Sequence, residues 1–142
     1  MDPGKEALYQ ALILDHDRSP RHFHVLNPCS HAAEAYNPLC GDRYVIYLNV
    51  ESGIIRQISF DGHGCAISKA SASMMTSMLS GVSIDSALAL SKSFKAVLLS
   101  NKQTDDELPG DLVALTDVVS APTRITCALL AWEATCDAIA GF

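Results

Sequence analysis

The chain has 142 residues, 49% of them hydrophobic and 18% charged, with a formal net charge of −6. That balance permits a substantial core and excludes a disordered chain, while the acidic excess argues against nucleic acid or an anionic membrane as a partner. The start, Met1-Asp2-Pro3-Gly4-Lys5-Glu6, carries no targeting pattern, and no segment approaches the roughly 20 apolar residues that span a bilayer. The expectation is a single soluble, cytoplasmic domain over residues 1–142.

In chain order, Lys5 to His16 reads as a short amphipathic helix with Ala7, Leu8, Ala11, Leu12 and Leu14 on its apolar face. Ser19-Pro20 breaks it, and Arg21 to Ala33 reads as an irregular connection. Asn37-Pro38-Leu39-Cys40-Gly41-Asp42 has the composition of a tight turn. Alternation then places Tyr44, Ile46, Leu48 and Val50 on one face of a strand, Glu51-Ser52-Gly53 turns the chain, and Ile54 to Phe60 returns antiparallel. Asp61-Gly62-His63-Gly64 ends that hairpin. Cys65 to Leu79 predicts a helix with Ile67, Ala70, Met74, Met78 and Leu79 near one face, and Ser83 caps a further helix running to about Leu99. Asn101 to Asp111 is a polar loop with Pro109-Gly110, and Leu112 to Val119 a short helix or extended piece. Ser120-Ala121-Pro122 opens a last helix with Ile125, Leu129, Trp132, Cys136 and Ile139 as its stripe, and Gly141 ends it. The order predicts an α+β domain: helices packed on a small antiparallel sheet of about three strands.

Five cysteines, an odd number without C-x-x-C, do not suggest a disulfide framework, a zinc ribbon or a thioredoxin-type site. Cys40 lies in a glycine-containing turn, Cys65 at a helix start after Gly-x-Gly, and Cys127 in the first turns of the last helix. Helix N-termini stabilise thiolates, the form that ligates metals and attacks sulfur. Asp42, two residues past Cys40, can turn toward the same point. Three thiolates and one carboxylate suit tetrahedral Zn²⁺, and the same thiolates can hold iron. Sequence separation does not show that the four meet, and each cysteine can equally be a small buried hydrophobe. Burial is the expectation for Cys29 and Cys136. His63 can be a ligand or a solvent-facing turn residue. His16, His22, His24 and His31 lack ligand-like spacing and are expected at the surface, and Met74, Met75 and Met78 in the core.

Asn37-Pro38-Leu39-Cys40-Gly41-Asp42, Gly62-His63-Gly64-Cys65-Ala66-Ile67-Ser68 and Thr123-Arg124-Ile125-Thr126-Cys127-Ala128-Leu129-Leu130-Ala131-Trp132 resemble, in order, the three cysteine motifs of the U-type iron–sulfur proteins, the IscU/SufU/NifU N-terminal family. Leu14-Asp15-His16 followed by Ser19-Pro20-Arg21 resembles its N-terminal segment. The long stretch between Cys65 and Cys127, Thr126 in place of histidine, and Arg124 resemble the SufU branch. The Leu-Pro-Pro-Val-Lys motif that docks an Hsp70-type chaperone has no counterpart around Ala121-Pro122-Thr123-Arg124. Tyr36 and Glu133 depart from the usual residues beside the first and third motifs.

The resemblance implies a zinc site of Cys40, Asp42, Cys65 and Cys127, a SufS-type cysteine desulfurase as partner, and Cys40 as the thiol that receives its persulfide sulfur. Arg124 would stabilise the anion of a released Cys40 or Asp42. The chain would then be at most a sulfurtransferase acting with the desulfurase. The alternative within the family is a scaffold holding a transient iron–sulfur cluster on Cys40, Cys65 and Cys127 and passing it to downstream iron–sulfur assembly proteins. A structural zinc domain that only mediates protein contact is a third reading.

Overall fold

The computed structural model describes residues 3–100, 108–118 and 121–140. The expected loop from Asn101 to Glu107, the strand or helix end at Val119, and Ser120 and Gly141 at the ends of the last helix lie outside these residues. The elements are α1 (Pro3–Arg18), β1 (His31–Asn37), β2 (Asp42–Glu51), β3 (Ile54–His63), α2 (Ala66–Leu79), α3 (Ile84–Leu99), a 3-10 helix (Gly110–Val118) and α4 (Pro122–Ala140). The α+β class holds: the strands form one antiparallel sheet in the order β1-β2-β3, with helices packed on it.

The β2–β3 hairpin follows its pattern. Tyr44, Ile46 and Leu48 are buried while Val50, beside a register shift, is half-buried. Ser52 and Gly53 both take positive φ, 53° and 75°, as a two-residue hairpin turn matched to strand twist requires. The strand β3 runs on to His63 because Gly62 lets the backbones touch: a Cβ there would strike the Arg43 carbonyl.

Several expectations need correction, among them the surface placement of His16 and His31. The irregular connection stops short of His31, where β1 begins. This strand turns His31, Ala35 and Asn37 inward, so two of its three buried positions are polar and no hydrophobic alternation marks it. On α1 the buried residues are Tyr9, Ile13 and His16, while Leu8 and Leu14 are exposed. His16 takes the core position because its ring is fully partnered. Nδ1 sits 2.7 Å from Ser73 Oγ and Nε2 2.9 Å from Asp111 Oδ2. His31 is likewise buried, against Ser30 Oγ at 2.7 Å. His22 and His24 are exposed, as expected.

Helix α2 lies at the centre, packed by α1, α4 and β3, and is buried almost all round rather than along one face. Met74 and Met75 are core residues and Met78 packs at its edge. The α2 serines and threonine survive burial because each finds a partner. Ser71 Oγ donates to the Ala128 carbonyl and accepts from Trp132 Nε1 at 3.1 Å; Thr76 Oγ1 donates to backbone carbonyls of Arg21 and Ser73. Trp132 also meets the Phe94 ring, centroids 5.1 Å apart. Ser83 caps α3, accepting the Ser86 N–H at 3.1 Å. The 3-10 helix begins at Gly110, so Asp111 belongs to it rather than to a loop. Cys29 and Cys136 are half-buried rather than buried, and Cys136 donates to Ser91 Oγ.

Candidate metal centre

Two chain reversals and one helix converge at the β1 end of the sheet. Asn37 closes β1 and Asp42 opens β2, directly paired across the sheet, so only Pro38-Leu39-Cys40-Gly41 bridges them. Gly41, at φ 72°, completes the reversal and donates its N–H to the Asn37 carbonyl at 2.8 Å. The loop leaves Cys40 exposed and Leu39 85% exposed. Two residues on, strand geometry turns Asp42 inward, where it is fully buried. Cys127, on the inner face of α4, is buried beside it. One ligand atom each from Cys40, Asp42 and Cys127 lies within 4.8 Å of the others, and the Cys127 thiol approaches Cys40 Sγ at 3.5 Å.

Cys65 stands just outside that tight group but is tied to it. It is the N-cap of α2 rather than its first residue. Its N–H donates to Asp42 Oδ1 at 2.8 Å, and its Sγ accepts from the Ser68 N–H at 3.4 Å. Cys40, Cys65 and Cys127 line one cleft of about 650 Å³, walled by Ile13 and Leu14 of α1, Ala66, Val118 and Ala121, with Arg124 at the start of α4. Arg124 is exposed, and among the described residues no carboxylate pairs with it. His63 is exposed at the end of β3 and is not among the grouped ligand atoms. Tyr36 stacks under the Arg43 guanidinium at 4.4 Å, and Glu133 pairs with Lys95 at 3.7 Å, so both departures are surface contacts.

The donor set fits a cation. Asp42 Oδ1 accepts from Cys65 N–H and Ser68 Oγ, but Oδ2 is buried with no hydrogen-bond partner. A buried carboxylate oxygen without a donor is costly, and a cation between it and the sulfurs would satisfy it. Burial pushes the Cys127 thiol far above its ordinary range, and the neighbouring Cys40, Asp42 and Cys65 push it the same way. Thiolates and a carboxylate are the donors that zinc takes.

Three further residues shape the site. Asn37 donates Nδ2–H to Cys127 Sγ at 3.7 Å and accepts the Leu39 N–H on Oδ1, while Ser68 reaches Asp42 from the other side and is itself bonded to the Tyr44 hydroxyl. All stand in or beside the cysteine motifs, yet nothing in their spacing marks them.

The three cysteine motifs meet at one place, and the NifU-like N-terminal domain model matches residues 8–142. The chain belongs to that family. It is 42% identical over 130 residues to the zinc-dependent sulfurtransferase SufU of Bacillus subtilis (strain 168), spanning 91% of this chain and 87% of that protein. It is 36% identical over 132 residues to the iron–sulfur cluster assembly scaffold protein IscU of Streptococcus pyogenes serotype M1, spanning 93% and 82%. A crystal structure of a candidate iron–sulfur cluster assembly scaffold protein for the SUF system, from Fervidobacterium islandicum, superposes with a TM-score of 0.85 at 28% identity, covering 94% of this chain and 98% of that one. This U-type domain is thus of the SufU branch in an iron–sulfur cluster assembly scaffold family. No helix among its described residues is long and apolar enough to cross a membrane.

Proposed function

We propose that the chain is a zinc-bound sulfur acceptor in iron–sulfur cluster assembly, taking persulfide sulfur from a SufS-type cysteine desulfurase onto Cys40. The observation that carries this reading is the contrast within the donor set: Asp42 and Cys127 are buried, Cys40 and Cys65 are exposed, and of those two Cys65 is held as the N-cap of α2 whereas Cys40 lies on a four-residue loop lining the cleft. Cys40, Asp42, Cys65 and Cys127 would hold the metal. Bound zinc would keep the sulfurs deprotonated and oriented.

The chain's own residues supply the rest. The Cys40 thiolate attacks the outer sulfur of the desulfurase persulfide. The bond between the two sulfurs of that persulfide breaks, a new one forms to Cys40, and the desulfurase cysteine leaves as a thiolate. The proton on the outer sulfur stays with it, and no oxidant is needed. Leu14, Ala66 and Val118 give the cleft apolar walls, and Arg124, with no carboxylate partner among the described residues, would stabilise the anion. A reducing, cytoplasmic setting suits five free thiols, and residues 1–142 would act as one domain. The name of the Bacillus subtilis relative supports this reading.

The second reading is a scaffold that assembles a cluster on Cys40, Cys65 and Cys127 for downstream assembly proteins. It is favoured by those three sulfurs lining one cleft and by the name of the Streptococcus relative. Elemental analysis with a desulfurase assay separates the two. About one zinc per chain, with strong stimulation that Cys40→Ala abolishes, supports the acceptor. Iron with labile sulfide and little stimulation supports the scaffold.

A further inference from the structure

Asp42 is anchored from one side only. Its Oδ1 receives the Cys65 N–H at 2.8 Å and the Ser68 hydroxyl at 3.2 Å, and Oδ2 receives nothing. Ser68 has one hydroxyl proton and two acceptors in reach, Asp42 Oδ1 and the Cys65 carbonyl at 3.1 Å. That carbonyl already accepts the Lys69 N–H at 3.0 Å, and the carboxylate is the stronger acceptor. The proton therefore goes to Asp42. Ser68 Oγ in turn lies 2.9 Å from the Tyr44 hydroxyl. With the single Ser68 proton committed to Asp42, the Tyr44 hydroxyl is the donor to Ser68 Oγ. The direction of the chain is fixed: Tyr44 O–H to Ser68 Oγ, Ser68 O–H to Asp42 Oδ1.

The backbone is cut to fit this relay. A Cβ at Gly64 would collide with all three members, the Tyr44 hydroxyl, Asp42 Oδ1 at 2.5 Å and Ser68 Oγ at 2.6 Å. The absence of a side chain at Gly64 provides room. Ser68 also gives its N–H to Cys65 Sγ, so one residue touches two of the proposed ligands.

We propose that Ser68 and Tyr44 are positioning residues that pin the Asp42 carboxylate through Oδ1, leaving Oδ2 as the single oxygen offered to a cation. This rests on the metal site of the proposed function and adds what sets its coordination. With Oδ1 occupied by two donors, the carboxylate cannot swing to chelate through both oxygens, which would crowd out a sulfur. Removing the Ser68 hydroxyl frees that rotation.

The test is cobalt titration of the metal-free full chain, with Ser68→Ala and Tyr44→Phe beside wild type and the fold followed by circular dichroism. Co²⁺ reports four against five coordination by the intensity of its visible bands, and thiolate ligation by a separate charge-transfer band. The expected result is intense four-coordinate bands in wild type, and weaker bands with about tenfold lower affinity in Ser68→Ala, in line with losses of supporting hydrogen bonds at metal sites. Tyr44→Phe should shift both in the same direction by less, and it decides the matter if Ser68→Ala does not fold. Both variants retaining the wild-type spectrum and an affinity within about twofold would overturn the inference while the metal site stood. Wild type showing no thiolate–cobalt band would overturn the metal site and the inference with it.

Discussion

Two of the buried polar clusters on helix α2, built on Ser73 and Ser68, differ in one atom. At its C-terminal half Ser73 Oγ sits against His16 Nδ1 and accepts the Arg21 N–H, and His16 Nε2 reaches Asp111. At its N-terminal end Ser68 joins Tyr44, Asp42 and Cys65, and Asp42 Oδ2 is left over. Among the described residues only one other buried side-chain oxygen, Ser59 Oγ, lacks a partner. The first cluster is complete and ties α1 to α2 and the 3-10 helix. The second is complete only with a cation. Open valence, rather than polarity, separates a candidate site from a structural network.

Substitutions can break or sharpen that contrast. The largest effect is expected for Asp42→Ala, which should lose the metal and also leave the Cys65 N–H and Ser68 hydroxyl without their acceptor. The metal-free protein should fall by about 2 kcal/mol in urea unfolding. Asp42→Asn keeps an oxygen for those donors, so it should lose metal by elemental analysis while the metal-free protein unfolds within about 1 kcal/mol of wild type. His16→Ala, in the closed cluster, should cost about 2 kcal/mol through a cavity and an unpaired Ser73, yet leave zinc content unchanged. Loss of zinc there would show that the clusters are coupled. Smallest is Asp15→Asn, at the exposed pair with Arg21. The Arg21 guanidinium, bonded to Asp15 at 2.7 Å, holds its carboxyl below the usual range. The pair's contribution is therefore present above the ordinary aspartate value of about 4 and lost as pH falls through the lower folded value. Its loss should move the unfolding midpoint only marginally, and less in high salt.

The hairpin, the helices after it and the class of fold were legible because their signals are local: alternation in Tyr44 to Leu48, the Ser83 cap, the stripe of α4. The β1 strand was not, because its inward positions are His31, Ala35 and Asn37 and carry no hydrophobic period. The buried face of α1 is hidden for a related reason. His16 counts as polar by type but is 2% exposed, since its partners come from residues far along the chain. At the site, the cysteine motifs named four residues in order, but only the fold shows how unequally they are held. Cys40 is exposed and Asp42 buried two positions apart, a difference that comes from a four-residue loop meeting a strand. The relay through Ser68 and Tyr44 depends on the sheet carrying Tyr44 beneath the start of α2, a contact between segments with no shared sequence signal.

Trp132 is the only tryptophan in the chain, buried on α4 five positions past Cys127, with its indole N–H given to Ser71. The molecule therefore contains its own fluorophore, fixed to the helix that delivers one of the proposed ligands. Zinc is colourless and would leave its emission bright, whereas an iron–sulfur cluster absorbs in the emission range and would quench it. A simple emission scan during loading would then distinguish the two cargoes, without any label.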